Sequence, residues 1–311
     1  MAARIKFGVT LPQLKRTWEE TRTAAIELER LGFDSLWVND HLYGVPMPEV
    51  PILECWTLLA AVGAVTTRVE LGTLVSPVGF RNPALHAKMA ATLDHITGGR
   101  VIVGLGVGWF ETEFRGYGFP FPAVRTRLEQ LSEAARLMKL VWTEPGATFA
   151  GRHFRAEGII CEPRPVRVPP ILIGGGGERV LLRIAAELAD VWNNLAVNQG
   201  ELGRKIACLR EHCRAVGRDP DTIEISQQTV VVIGANEVDA RAKLGKAARI
   251  YGGHLGDIER HGIWGSPAQV VERIERHVAQ GCTSFMIEFF GRDAREPAGL
   301  FAEQVLPAFR V

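Results

Sequence analysis

The sequence is poor in cysteine and has no excess of charge of either sign. Its 311 residues include five cysteines, an odd number with no Cys-x-x-Cys pair, which we interpret as reduced thiols rather than a disulfide framework. Lys and Arg number 36 against 35 Asp and Glu. This balance gives no basic stripe for nucleic acid and no polybasic membrane anchor.

Long apolar runs are also missing from the sequence. No run approaches the ~20 residues that a membrane helix needs, and Met1–Lys6 lead into a strand pattern without the apolar core of a signal peptide. We therefore expect a cytoplasmic protein that acts on a small-molecule substrate and does not bind membranes or nucleic acid.

Several catalytic and metal-binding motifs are absent. There is no Gly-x-Ser-x-Gly serine-hydrolase motif and no Walker loop ending in Gly-Lys-Ser/Thr. The first predicted strand ends in Leu11–Gln13 without a His-x-His metal pair, and Cys208, His212 and Cys213 have no second ligand pair at zinc spacing. We predict no metal site.

Short β-branched runs alternate with amphipathic helical stretches along the whole chain. Eight such runs, each followed by a helical pattern, fit a closed barrel better than an open doubly wound sheet. The predicted strands are Ile5–Leu11, Ser35–Val38, Val69–Val75, Val101–Val107, Ile171–Ile173, Val191–Leu195, Ile223–Ile233 and Ser284–Phe290. The sequence thus predicts an α/β protein with a (β/α)8 TIM-barrel fold, formed as a single domain over residues 1–311.

Two segments interrupt this alternation. Residues 145–170 predict an inserted β-hairpin, with strand-forming residues on both sides of Gly151, and Gly108–Val124 is a long loop rich in glycine, proline and aromatic residues. Loops this long are commonly functional covers, and the aromatic residues of the second favour a packed cover.

Residues that begin and end helices occur at the expected places. Thr17 with Glu20 predicts a capping box for the first helix, and Asn82 with Pro83 predicts the start of the third. The third helix is expected to bury large apolar residues, namely Leu85, Met89, Leu93 and Ile96.

The second predicted strand ends in Val38-Asn39-Asp40-His41. In a barrel the carboxyl ends of the strands face the active site, and a histidine there can give or take a proton near neutral pH. His41 is therefore a candidate catalytic residue, with Asp40 as the residue that orients it. The alternative is a loop histidine that caps a neighbouring backbone group.

Glycines alternate at the end of the fourth predicted strand, in Gly104-Leu105-Gly106-Val107-Gly108. Missing side chains on one face would leave room for a flat ligand above the barrel, so Gly106, Val107 and Gly108 are candidate cofactor-binding residues. The run does not complete a Gly-x-Gly-x-x-Gly dinucleotide fingerprint.

Four glycines stand between the fifth strand and its helix. The run Gly174, Gly175, Gly176, Gly177 and Glu178 precedes a helix predicted over Val180–Ala189. Successive backbone N–H groups at a helix N-terminus form an anion site, so these residues are predicted to bind a phosphate. A tight turn without a ligand is the alternative, although one or two glycines would suffice for that.

Taken together, these residues resemble the bacterial luciferase-like family of flavin and deazaflavin oxidoreductases. The most specific stretches are Gly32–His41, Arg81–Pro83, Gly98–Arg100 and Ile173–Glu178. The resemblance implies a TIM barrel with an insertion, usually dimeric, whose cofactor ring lies at the carboxyl ends of the strands. It is closer to the branch that uses coenzyme F-420, an 8-hydroxy-5-deazaflavin, than to the FMN branch.

The deazaflavin branch implies roles for particular residues. A non-prolyl cis peptide backs the central ring of its cofactor, and Leu74 and Val75 occupy that position here. The catalytic-loop histidine matches His41, and the cofactor phosphate site matches Gly174–Glu178. The implied reaction is hydride transfer between C5 of the cofactor and a small organic substrate, with the loop Trp109–Pro122 excluding water.

Three alternatives remain open at this point. Within redox chemistry, the chain could be a monooxygenase that uses reduced FMN. A metal-dependent barrel hydrolase using His41 and Asp40 is a different class, although it leaves the glycine run unexplained. A cofactor carrier without catalytic activity is the third.

Overall fold

A computed structural model describes residues 4–45, 47–291 and 293–310. The residues Met1–Ala3, used above in considering a signal peptide, lie outside these ranges. The strands are β1 (Lys6–Thr10), β2 (Ser35–Val38), β3 (Glu70–Thr73), β4 (Ser76–Pro77), β5 (Val101–Gly106), β6 (Ala147–Ala150), β7 (Arg155–Ile159), β8 (Ile171–Gly174), β9 (Val191–Asn194), β10 (Glu224–Ile233), β11 (Ile263–Gly265) and β12 (Ser284–Phe289). The helices are α1 (Trp18–Arg30), α2 (Cys55–Val65), α3 (Pro83–Thr97), α4 (Glu111–Gly116), α5 (Val124–Thr143), α6 (Leu181–Leu188), α7 (Leu202–Ala215), α8 (Glu237–Tyr251), α9 (Ile258–His261), α10 (Pro267–Ala279) and α11 (Arg295–Gln304).

Eight parallel strands close into a barrel, which confirms the predicted fold class. Their order is β1-β2-β3-β5-β8-β9-β10-β12, and β12 pairs back onto β1. Each of the eight predicted runs overlaps one of these strands, and only Ile171–Ile173 stops short of its strand, by one residue. The two short strands β4 and β11 were not predicted; they pair with β5 and with the carboxyl-terminal part of β10.

The interior of the barrel is filled by one large ring and a few aliphatic side chains. The Trp37 side chain lies across the interior, next to Gly8 of β1 and Gly72 of β3. A Cβ at either glycine would collide with it. Aliphatic and sulfur-containing side chains pack with it, namely Leu74, Ile102, Leu172, Val191 and Met286. The barrel is therefore a closed core rather than a channel, as is usual for this fold, and a ligand has to lie above it.

The predicted insertion is confirmed as the antiparallel hairpin β6–β7. The capping box of Thr17 and Glu20 and the Asn82 cap of α3 are also present. In the described residues, none of the helices combines the length and hydropathy needed to cross a bilayer.

The predicted buried face of α3 is wrong at both ends. Leu85 is 57% exposed and Ile96 is 48% exposed. The face that packs is formed mainly by small residues, among them Ala87, Ala90 and Ala91. Since small side chains allow helices to approach closely, α3 turns its alanine face inward against α2 and α5, and its large outer residues remain at the surface.

Candidate active site

His41 follows β2 at the carboxyl-terminal mouth of the barrel and is held by Glu113 of α4. Its Nδ1 lies 2.8 Å from Glu113 Oε1, and the backbone N–H of Leu42 donates to Glu113 Oε2 at 2.9 Å. The Glu113 side chain is 1% exposed and that of His41 is 20% exposed. Because the carboxylate accepts a hydrogen bond from Nδ1–H, Nε2 remains for a ligand in the mouth.

The prediction that Asp40 orients His41 is wrong. Asp40 is buried on the opposite side of the chain, where it accepts hydrogen bonds from Arg81 at 2.6 Å and from Ser76 at 2.5 Å. Consecutive residues in extended chain point in opposite directions, which explains why His41 and Asp40 have different partners. The orienting carboxylate is Glu113, which lies 72 positions further along the chain.

The Asp40–Arg81 pair holds the loops beneath the mouth together. Arg81 also binds Glu54 at the N-terminus of α2, and Ser76 belongs to β4, directly after Leu74 and Val75. Burial raises the pKa of Asp40, and the Arg81 guanidinium opposes that shift. The pair therefore fixes the β2, β3 and α2 segments relative to one another.

Next to this network, His86 is a buried histidine with an unpartnered nitrogen. Its ring lies edge-on to Trp56 at 4.7 Å, and Nε2 has no hydrogen bond. Burial lowers the pKa of His86 from 6.5 to about 3. The imidazole is therefore neutral in the folded protein at neutral pH.

Because His86 is buried in its neutral form, we expect the folded protein to lose stability in acid. A folded-state pKa below the unfolded value gives stability that is complete above pH 6.5 and is lost as the pH falls towards 3. Between about pH 7 and about pH 5 the contribution of His86 to the free energy of unfolding should fall by about 2 kcal/mol. Urea unfolding at the two pH values measures it, and His86→Leu should lose this part of the dependence. An equal pH dependence in parent and variant would contradict the assignment.

The Leu74–Val75 peptide bond is cis, as the resemblance implies. Leu74 is buried in the barrel interior, and Val75 packs above it at the mouth. A Cβ on Gly106 would lie 2.6 Å from the Val75 side chain, and one on Gly174 would lie 3.0 Å from it. Val75 thus lies between the carboxyl ends of β5 and β8, at the mouth of the barrel.

The interpretation of the alternating glycines as free space for a ligand is wrong. Val75 fills the space beside Gly106, and a Cβ on Gly104 would collide with the carbonyl oxygen of Thr73. At Gly108, where φ is +74°, a Cβ would lie 2.6 Å from Phe114, and the carbonyl oxygens of Val107 and Gly108 accept hydrogen bonds from Arg127. These glycines make room for side chains of the protein itself. They therefore influence a bound cofactor only through the positions of Val75 and Phe114.

The loop after β5 packs over the mouth, as predicted for a cover. Phe114 is buried and contacts Phe80 at 4.5 Å and Phe121 at 4.9 Å between ring centroids. Trp109 is 56% exposed and stands edge-on to His41 at 6.0 Å. The short helix α4 between these aromatic residues carries Glu113 to His41.

The glycine turn after β8 presents unpaired backbone N–H groups beside the N-terminus of α6. Lys205 donates to the carbonyl oxygen of Gly176 at 2.7 Å, and the His212 ring bonds the carbonyl oxygen of Glu178 at 2.8 Å. Since C=O and N–H point in opposite directions in a trans peptide, the N–H groups of Gly177 and Arg179 point away from α7. In the described ranges, the amides from Gly176 to Arg179 donate to no protein atom.

The predicted phosphate site is narrower than Gly174–Glu178. Gly174 belongs to β8, and the N–H of Gly175 donates to the carbonyl oxygen of Asn193 at 3.1 Å. The Glu178 carboxylate pairs with Arg204 and Lys205, so only its amide is available. The turn therefore offers the amides that come after Gly175, and they fit an anion such as a cofactor phosphate.

Lys205 was not identified from the sequence. Its side chain is 6% exposed and contacts Glu178 and Glu201, both at 3.2 Å. It lies on α7 among other charged residues, and the sequence around it gives no sign that it reaches the glycine turn. Its contacts with Gly176 and Glu178 in the structure reveal that it supports this turn.

In the part of the chain that the structure describes, no three His, Cys, Asp or Glu side chains are grouped as metal ligands. The mouth thus combines a histidine–carboxylate pair with a set of backbone donors. This combination suits a ligand with a phosphate and a reaction that moves a proton.

Comparison with known proteins identifies one family and several relatives of the same kind. A family model described as luciferase-like monooxygenase matches residues 2–258. An F420-dependent glucose-6-phosphate dehydrogenase of Intrasporangium calvum is 36% identical over 50% of this chain and 47% of the relative. One of Kineococcus radiotolerans is 37% identical over 64% of this chain and 60% of the relative. The matched segment thus spans about half to three fifths of these relatives.

Among solved structures, an F420-dependent secondary alcohol dehydrogenase in complex with an F420-acetone adduct has the same fold. Its TM-score is 0.85 with 22% sequence identity, and the match covers 99% of this chain and 100% of that one. At this identity the likeness shows the fold alone.

Proposed function

Since the chain belongs to the luciferase-like monooxygenase family, we propose that it is an oxidoreductase that binds coenzyme F-420 and exchanges a hydride with a small organic substrate. When bound, the deazaflavin supplies a carbon centre, C5, that accepts or donates a hydride. Relatives named as F420-dependent enzymes support this choice over FMN. A monooxygenase that uses reduced FMN remains the alternative.

The observation that carries the proposal is the pairing of His41 with the buried Glu113 at the mouth. An alcohol that loses a hydride from carbon also loses a proton from its hydroxyl group, and that proton needs an acceptor. Nε2 of His41 is such an acceptor, because Glu113 binds Nδ1 and stabilises the imidazolium that forms. In the reverse direction the same pair donates the proton.

Other residues bind and shield the reactants in this proposal. The amides from Gly176 to Arg179 hold the cofactor phosphate, with Lys205 fixing the turn. Leu74 and Val75 support the ring from the barrel side. Trp109 and the loop up to Pro122 keep water from the hydride path.

Gly176→Ala tests the phosphate site. A Cβ there would collide with the Asn198 amide and lie 3.3 Å from Lys205 Nζ, so the turn has to shift. Hydrogen bonds to a charged group contribute about 1.5–3 kcal/mol, and we expect the affinity for coenzyme F-420 to fall about tenfold or more. Fluorescence titration measures the affinity, and thermal unfolding measures the stability.

Gly299→Ala is the matched control, because a Cβ there meets open space. It should bind the cofactor as the parent does. If Gly176→Ala loses stability but keeps its affinity for the cofactor, the turn is structural and the phosphate binds elsewhere.

We also propose that the enzyme is a cytoplasmic homodimer. The five cysteines are free thiols, which supports a reducing compartment. Leu85 and Ile96 expose large apolar side chains on the outer face of α3, which supports a contact between two copies at this face. Sedimentation measures the mass of each protein. We expect the mass of a dimer for the parent and the mass of a monomer for Leu85→Glu.

A further inference from the structure

Trp109 is a large exposed side chain at the mouth, beside the candidate catalytic histidine. It follows β5, is 56% exposed, and its ring centroid lies 6.0 Å from that of His41. The Phe110 ring lies 5.4 Å from it on the same loop. A ligand that reaches His41 therefore passes close to the Trp109 ring.

A second ring reaches Trp109 from a different loop. The centroid of the His254 ring lies 5.8 Å from that of Trp109, with 49° between the ring planes. His254 is exposed, and within the described ranges its ring forms no hydrogen bond and no ion pair. Since no polar interaction fixes the imidazole, its contact with Trp109 can break and re-form.

The two rings come from strands that are not neighbours in the barrel. Trp109 follows β5, whereas His254 lies in the turn Gly252–Leu255 that comes after β10 and α8. The strands β8 and β9 separate β5 from β10 on one side of the barrel, and β3, β2, β1 and β12 separate them on the other. The contact between the rings therefore spans the mouth.

A ligand that joins the two parts of the candidate site has to cross beneath this contact. The glycine turn follows β8, on the shorter arc between β5 and β10, and His41 follows β2, on the longer arc. A cofactor held by its phosphate at the glycine turn, with its reacting ring beside His41, thus crosses the line from Trp109 to His254. Because the barrel interior below is filled, the cofactor lies between that interior and the two rings.

The turn that carries His254 combines one anchored residue with two glycines that permit movement. Leu255 is buried, and its carbonyl oxygen accepts a hydrogen bond from Gln199 at 3.0 Å. Gly252 and Gly256, on either side, have φ values of +53° and +59°, which glycine adopts without strain. A few such positions at the ends of a loop are enough to let it open and close.

We propose that Trp109 and His254 form a clasp, the pair of these two rings, which closes over a bound cofactor and opens before the cofactor enters or leaves. The clasp closes in the same way over an empty and an occupied mouth. It therefore controls the rates of binding and release and leaves the affinity unchanged. The inference goes beyond the proposed function, although the position of the cofactor beneath the clasp rests on it.

Stopped-flow fluorescence with coenzyme F-420 tests the clasp. Association is followed after mixing, and release is followed after dilution of the complex, for the parent, Trp109→Ala, His254→Ala and the double variant. Tyr117→Ala is the matched control, because Tyr117 is 54% exposed on the same loop but contacts the rings of Tyr43 and Phe119 instead. Thermal unfolding is recorded to show that each variant is folded.

Each single variant should raise the association and release rate constants by the same factor, with an unchanged dissociation constant. Contacts between aromatic rings contribute enough to make that factor about twofold to tenfold. The double variant should match the single variants, because either substitution removes the whole clasp. Iodide should also quench the fluorescence of the bound coenzyme more strongly in all three, and Tyr117→Ala should behave as the parent does.

Four results would overturn the inference while leaving the proposed function intact. They are rate constants equal to those of the parent, a rise in the release rate alone, factors that multiply in the double variant, and a Tyr117→Ala variant that matches Trp109→Ala. A parent protein that binds FMN but not coenzyme F-420 would instead overturn the proposed function, and the same rates measured with FMN would then test the clasp. Binding of neither cofactor would overturn both.

Discussion

His41→Ala should transfer hydride about 10² to 10⁴ times more slowly than the parent, the usual contribution of a positioned acid or base. The variant should still bind coenzyme F-420 with nearly the parental affinity, because the proposed cofactor contacts are backbone amides and apolar side chains. Single-turnover kinetics with a small organic substrate that the parent turns over measure the chemical step. Fluorescence titration measures cofactor binding separately.

The hairpin provides a matched control for this experiment. His153 lies 3.0 Å from the carboxylate of Glu129, so His153→Ala also removes an imidazole from a histidine–carboxylate pair. It should leave the rate unchanged. If His41→Ala transfers hydride at the parental rate, His41 is a structural residue of the loop, and Glu111 or Glu113 becomes the candidate for the proton transfer.

Arg81→Met should destabilise the folded protein by about 3–5 kcal/mol, because it leaves the buried carboxylate of Asp40 without its counter-charge. The Arg81 and Asp40 side chains are 12% and 0% exposed. Urea unfolding at neutral pH measures the loss. The effect should shrink as the pH falls towards 3.8, the ordinary pKa of an aspartate, since the carboxyl group is then protonated in the unfolded state as well.

Two further variants test the cause of this loss. Adding Asp40→Asn to Arg81→Met should restore part of the stability, since no buried charge then remains unpaired. Arg115→Met removes an exposed arginine that pairs with Glu111 and should change the free energy of unfolding little. Equal losses from Arg81→Met and Arg115→Met would show that the Asp40 network does not stabilise the mouth.

The barrel could be predicted from the sequence because its strands are buried on both faces. Runs such as Val101–Val107 and Ile171–Ile173 are almost continuously apolar, and helix caps such as Asn82–Pro83 mark where the neighbouring helices begin. The strand β11 escaped prediction because Ile263–Gly265 is only three residues long, too short for any periodicity. Its pairing depends on the carboxyl-terminal half of β10.

The candidate site could be predicted only where its residues are neighbours in sequence. The glycine turn and His41 both follow the carboxyl end of a strand within a few residues, which places them at the mouth by topology. The partner of His41 could not be found in this way, because Glu113 comes from α4 after another strand. Adjacency in sequence favoured Asp40. In the structure, consecutive side chains alternate in direction, so Asp40 points towards Arg81 instead.

The alternating glycines show a second limit of local patterns. Gly104 and Gly106 do mark a close approach, but the approaching groups are the Thr73 carbonyl and the Val75 side chain of the same protein. At these two positions the missing Cβ makes room for a neighbouring group. It does not indicate whether the occupant is a ligand or another part of the chain.

Parallel titration of the purified protein with coenzyme F-420 and with FMN tests the central claim most directly. Both cofactors carry a phosphate that the glycine turn could bind, so the comparison depends on the ring that lies against Leu74 and Val75. The account predicts saturable binding of coenzyme F-420 that FMN displaces only weakly, and an affinity for coenzyme F-420 that is about tenfold or more lower in Gly176→Ala. Tight binding of FMN without binding of coenzyme F-420 would contradict it and would favour the monooxygenase alternative.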